Sequence, residues 1–217
     1  MSDQFTNDGL KQAAQESVAS GQDIRERIRS LTLQALKERK FNFAQFQEAM
    51  RAMTQGINLG AEQRGADVKA ALSEAFAGMD QGLTKAAQAG SLAMHELVSR
   101  SKQFSESDLK VALEQLQRLE RHFLTAVREI SQTSTGMMRS EWQDLLTHAQ
   151  RAGTDTGAVI SATMREFSGR MAGTFASATN ATLEAALQFG ERFAQAASGL
   201  LAGMSEALKP EERKPKP

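Results

Sequence analysis

The chain has no cysteine, no tyrosine, one tryptophan and three prolines in 217 residues. Without cysteine there can be no disulfide, thiolate nucleophile or thiolate metal site, and the composition fits a reducing compartment. Pro210, Pro215 and Pro217 all fall in the last eight residues, so 209 consecutive residues run without the residue that reliably ends a helix. Aromatics amount to 6%, which argues against a thick globular core built on rings. Net charge is missing too. The 26 basic and 26 acidic side chains cancel, removing the whole-chain attraction that nucleic acid or an anionic membrane would exert. No run reaches the roughly 20 apolar residues a transmembrane helix needs. Met171 to Gly190 comes nearest, with Glu184 its only charge, but its threonines, Ser177, Asn180 and Gln188 make it too polar. The start, Met1-Ser2-Asp3-Gln4, lacks a basic region followed by an apolar run, so no secretory signal is expected and the chain reads as cytoplasmic.

Recognisable chemistry is equally scarce. His95, His122 and His148 are scattered, and none follows a glutamate by three residues, which excludes the Glu-x-x-His ligand pairs of di-iron bundles. There is no His-Glu-x-x-His, no phosphate-cradling glycine loop ending in Lys-Ser or Lys-Thr, and no Gly-x-Ser-x-Gly elbow. No catalytic, cofactor-binding or metal-binding residue is therefore assigned, and a non-enzymatic protein without cofactor is expected. The basic stretch from Arg25 to Lys40 is diluted by Glu26 and Glu38 and has no stacking platform of its own, so nucleic-acid binding is not expected.

Periodicity is what the chain does have. Large apolar residues recur on an eleven-residue beat: Ile57, Ala61, Gly65, then Val68, Leu72, Phe76, then Met79, Leu83, Ala87, then Gly90, Met94, Val98. A second stripe runs from Met138 through Trp142, Leu145, Ala149, Gly153, Thr156, Ile160, Met164, Phe167, Met171 and Phe175 towards Leu208. Eleven residues in three turns keep an apolar face nearly straight along a helix. Leu109, Leu116, Phe123 and Ile130, seven apart, form a heptad seam expected to pack on a neighbouring helix and to serve oligomerisation. The fold class is all-α: long amphipathic helices in an extended bundle or coiled-coil-like assembly.

Local signals place the elements. Residues 1–21, polar and broken by Gly9 and Gly21, predict a frayed or short helix. Ile24, Ile28, Leu31, Ala35 and Leu36 predict an amphipathic helix after it. Asn42 with Gln45, and Ser105 with Asp108, read as helix starts, each with a hydrophobic staple, Phe41 to Phe46 and Phe104 to Leu109. Unbroken, Phe43 to Ser101 would form a rod of roughly 90 Å. Gly65, Gly90 and Gly153 are candidate hinges, and the run before Gly136 a candidate turn. Five glycine pairs at i, i+4 spacing (Gly56 and Gly60, Gly78 and Gly82, Gly153 and Gly157, Gly169 and Gly173, Gly199 and Gly203) read as tight helix crossings or as plain low complexity. This divides the chain into an N-terminal helical segment (1–40), a long-helix domain (41–208) and a disordered tail (209–217) rich in proline and charge.

From Arg170 to Leu208 only Arg170, Glu184, Glu191, Arg192 and Glu206 are charged, while Phe175, Phe189, Phe193, Leu200 and Met204 lie on or beside the stripe. Such a face needs a cover, either another helix or a hydrophobic surface. With Ala, Gln and Phe on long proline-free helices, the eleven-residue stripe, the weakly charged stretch from Gly173 to Leu208 and the Lys-Pro tail, the chain resembles the phasins, coat proteins of bacterial polyhydroxyalkanoate granules. That resemblance implies helices that coat a hydrophobic granule or lipid surface, as small homo-oligomers at an inclusion or membrane, without catalysis. The surface-binding residues would be Phe167, Met171, Phe175, Phe189, Phe193, Leu200 and Met204. The alternative is a soluble scaffold or oligomerisation protein in which the same stripe is a permanent dry core.

Overall fold

The computed structural model describes residues 6–38, 43–100, 106–171 and 195–203. Among these residues the fold is all-α, as the periodicity requires, and contains no strand. The helices are α1 (Asn7–Ala19), α2 (Ile24–Glu38), α3 (Phe43–Glu62), α4 (Val68–Arg100), α5 (Glu106–Thr133), α6 (Gly136–Ala152) and α7 (Asp155–Met171). Residues 195–203 are helical as well.

The expected short helix does form at the N-terminus, 13 residues long, and its start is capped. Thr6 caps α1 by accepting the Gly9 N–H at 3.0 Å, and Leu10, Ala14 and Val18 are wholly buried on one face. Three small or medium apolar residues suffice because of what they meet. A methyl group placed on Gly60 would lie 2.5 Å from the Gln15 carbonyl oxygen, and one on Gly56 would lie closer still to that of Lys11. Backbone thus touches backbone, and α1 sits in a groove that only glycine leaves open. Gly78 and Gly82 receive α2 in the same way, against the Arg25 carbonyl and the Thr32 side chain. Two of the five glycine pairs therefore mark helix crossings.

These contacts also fix direction. Gly56 faces Lys11 and Gly60 faces Gln15, so α3 runs parallel to α1, and by the same logic α4 runs parallel to α2. Arg51 binds Glu129, and Asn58 binds Ser134, which sets α5 parallel to α3. Asp80 meets Thr156 and His95 meets Glu166, which sets α7 parallel to α4. Glu120 meets Thr154 and Gln117 meets Met164, so α7 opposes α5. The result is three stacked layers of antiparallel helices: α1 with α2, then α3 with α4, then α5 with the broken helix α6–α7.

The predicted 90 Å rod does not form. Gly65 takes φ +55°, a left-handed conformation that costs glycine least, and residues 65–67 make a short 3-10 turn that folds α4 back along α3. Gly90 is no hinge, since α4 continues through it for 33 residues. Gly136 (φ +55°) and Gly153 (φ +82°) open the predicted turns before α6 and α7.

One apolar core threads all three layers. Val68, Leu72, Met79, Leu83 and Met94 of the first stripe are buried, with Phe76 and Val98 packed at its edge. The second stripe buries Met138, Trp142, Ile160 and Phe167, keeping its phase across the break at Gly153. Leu10 to Leu36 join the same core, so the first helix pair is part of the body it was separated from on sequence grounds. The heptad residues Leu109, Leu116 and Phe123 are buried and Ile130 is packed against them, all within one chain. As an oligomerisation seam they are therefore already occupied, because α3, α4, α6 and α7 supply the neighbours that a second copy would have provided.

Candidate functional site

The densest polar cluster lies where α6 gives way to α7. Gly153 breaks the helix, and the next residue, Thr154, caps α7 by accepting the Gly157 N–H at 2.8 Å. Asp80, from the middle of α4, accepts the Asp155 N–H at 2.9 Å and the Thr156 N–H at 3.1 Å. Its carboxylate also takes the Thr156 hydroxyl at 2.7 Å. The first three N–H groups of α7 are thereby satisfied, two of them by a carboxylate on another helix placed at the positive end of the α7 dipole. Glu120 of α5 adds a short bond to the Thr154 hydroxyl, and Thr84 lies 3.2 Å from the Thr156 oxygen. Helices α4, α5 and α7 are tied together at one point.

A second cluster joins α3, α5 and α6. The buried Asn58 carbonyl oxygen accepts the Trp142 indole N–H at 3.0 Å and the Ser134 hydroxyl at 2.9 Å, while its amide donates to Glu62 at 2.8 Å. At the far end of α7, His95 pairs with Glu166 at 3.1 Å and sets its ring against Phe167 in a tilted contact, with 4.8 Å between centroids. On the α5 surface, desolvation first and then the neighbouring charges of Arg118, Arg121 and Arg51 hold the His122 pKa below the ordinary value. A hydrogen bond to Glu129 holds Arg51 more firmly protonated.

A hydroxyl beside a carboxylate, as in Thr156 and Asp80, is the pairing an activated nucleophile would use. Here Thr156 has no exposed surface and Asp80 only 7%, and the carboxylate is already engaged by two backbone N–H groups. The arrangement fixes a helix terminus. No group of three or more His, Asp or Glu side chains suited to a metal occurs among the described residues. Two depressions, about 520 Å³ beside Gly21, Arg25 and Glu74 and about 250 Å³ beside Asn7, Lys11 and Arg51, are shallow and polar. Among the described residues no helix is long and apolar enough to cross a membrane.

Of the seven residues expected to bind a hydrophobic surface, the described side chains are those of Phe167 and Leu200. Phe167 is wholly buried, against His95, because here the stripe turns towards α4. Leu200 is half-buried and packs against the core beside Ala197 and Leu201. The side chains of Met171, Phe175, Phe189, Phe193 and Met204 lie outside the described residues, as does the tail. Sequence reasoning did not single out Asp80, Glu120 or Asn58. Thr156, a polar position within the second stripe, was the available signal, and it does mark the Asp80 contact.

Over residues 1–210 the chain matches, and belongs to, a family of unknown function designated DUF6781. No curated protein and no solved structure matches it.

Proposed function

We propose that the chain is a non-enzymatic helical scaffold, a layered bundle whose apolar stripe is its own dry core, acting through what its surface and C-terminal stretch engage. The family carries no assigned activity, so the reading rests on geometry. Its main support is the burial, among the described residues, of the first stripe, of the second as far as Phe167 and of the heptad seam inside a single chain. Over the described residues the apolar faces are covered by neighbouring helices of the same chain. The polar clusters, with their donors and acceptors spent on helix ends, support a structural role for Asp80 and Asn58.

One observation favours a narrower form of the coat reading. The stretch from Gly173 to Leu208 carries only Glu184, Glu191, Arg192 and Glu206 as charges, and includes Phe175, Phe189 and Phe193. In this phasin-like alternative, adsorption to a polyester granule or lipid surface belongs to that stretch and the bundle is its folded carrier. Circular dichroism and flotation separate the two. The scaffold reading predicts full helicity and cooperative melting without additive, and no change on adding lipid vesicles or polyester particles. Helix gain with recovery of protein in the floating fraction, abolished by Phe189→Glu with Phe193→Glu, would replace it with the coat.

A further inference from the structure

We propose that α7 is a latched strap, a helix that opens as a unit about Gly153 while the rest of the bundle stays folded, with the Asp80 carboxylate as its latch. The inference is independent of whether the protein is a scaffold or a coat.

Three observations converge on it. The joint is an uncrowded glycine: Gly153 has φ +82°, and a methyl group there would meet nothing within 4 Å. The face that α7 buries is unusually polar, for Thr154, Thr156 and Thr163 stand beside Ile160 and Phe167, whereas α6 buries Met138, Trp142, Leu146 and Ala149. The ties are hydrogen bonds at both ends: Asp80 and Glu120 at the N-terminus, His95 with Glu166 near the other. Water can replace such bonds when the groups separate, so their net contribution is small compared with their number. Apolar burial has no such substitute, and α1, α3 and α4 are held mainly by that.

The latch is local because Asp80 binds the two N–H groups that no residue of α7 can serve. Release exposes Ile160 and Phe167, together with the length of α4 from Asp80 to His95 along which α7 lies. Cooperative opening of one such unit beneath the global transition is the behaviour expected of a weakly anchored segment.

Amide hydrogen exchange on the full chain tests this. In the wild-type protein, amides 159–168 should exchange as a block, on the order of 100-fold faster than buried amides of α3 and α4. Asp80→Asn should speed that block by roughly tenfold and leave α1 and α3 unchanged. The chain has no cysteine, and the Thr84 and Thr156 oxygens are 3.2 Å apart, so an oxidised Thr84→Cys, Thr156→Cys pair should slow the block relative to its reduced form. Protection of α7 equal to that of α4 would overturn the proposal. So would a gradient of exchange from Met171 inwards that Asp80→Asn does not alter, because that is end fraying. Should Asp80→Asn fail to fold, the wild-type profile and the crosslinked pair decide the matter.

Discussion

Replacing Gly56 with alanine sets two effects of opposite sign against each other. On an open helix the change stabilises by about 1 kcal/mol, because glycine has more backbone freedom to lose on folding. At Gly56 the new methyl group falls less than 3.0 Å from the Lys11 carbonyl, a backbone atom that cannot rotate away. Helix α1 must withdraw by roughly 1 Å or more to restore normal contact, and overpacking of that kind costs about 1–3 kcal/mol or more. Withdrawal also loosens Leu10 and Val18, each worth about 1.5–3 kcal/mol when fully buried. The net expectation is a loss of about 2–4 kcal/mol. Urea unfolding followed by helix signal at 222 nm measures it. With a slope near 2 kcal/mol/M the midpoint should fall by about 1–2 M. Gly199→Ala is the control, since a methyl group there meets nothing within 4 Å, and it should raise the midpoint slightly. Gly82→Ala should fall between the two, because its nearest neighbour is the Thr32 side chain. If Gly56→Ala proved as stable as wild type, the backbone-to-backbone packing of α1 on α3 would be refuted.

Other outcomes follow from the same contacts. Asn58→Ala leaves the Trp142 indole and the Ser134 hydroxyl without their shared acceptor and should cost about 2–4 kcal/mol, with a change in the emission of the only tryptophan. Phe167→Ala should cost about 3–5 kcal/mol in urea unfolding, whereas a solvent-facing adsorption residue would tolerate the change. His122 has a lowered pKa in the folded state, so between that value and the ordinary one near 6.5 the unfolded chain binds more protons. Its contribution to stability is therefore full above the ordinary value and is lost as the pH falls. His122→Gln should flatten the decline in urea midpoint between about pH 7.5 and pH 5.5, and an unchanged slope would remove His122 as a cause.

Much of the architecture was legible because helices are local objects. The Ile24 to Leu36 pattern, the heptad from Leu109, the first stripe and the second as far as Phe167 became buried faces, since a period of about 3.6 places those side chains on one side whatever they later meet. Glycine was harder to read. One residue type serves close approach at Gly56, Gly60, Gly78 and Gly82 and left-handed turns at Gly65, Gly136 and Gly153, and nothing beside each glycine says which use applies. Hence Gly65 was one hinge candidate among several, and the rod was drawn twice too long. The α1 helix was undervalued for a related reason: its narrow face of Leu10, Ala14 and Val18 becomes sufficient only beside glycines more than 40 residues away. Asp80 and Asn58 were invisible as anchors because their partners lie 75 to 84 residues further along the chain.

The sequence alone determined that this protein is built of long helices and where their apolar sides lie. Proline is absent before Pro210, and the spacing of apolar residues acts over a few turns of one helix. Tertiary structure decided what covers those sides. Turns at Gly65 and Gly136 bring the chain back on itself, so the stripes meet each other and the heptad seam is filled from within. That outcome depends on the relative free energies of self-packing and of binding an outside surface, and the two use the same side chains. Periodicity cannot distinguish them, and only the positions of the turns and the backbone grooves do.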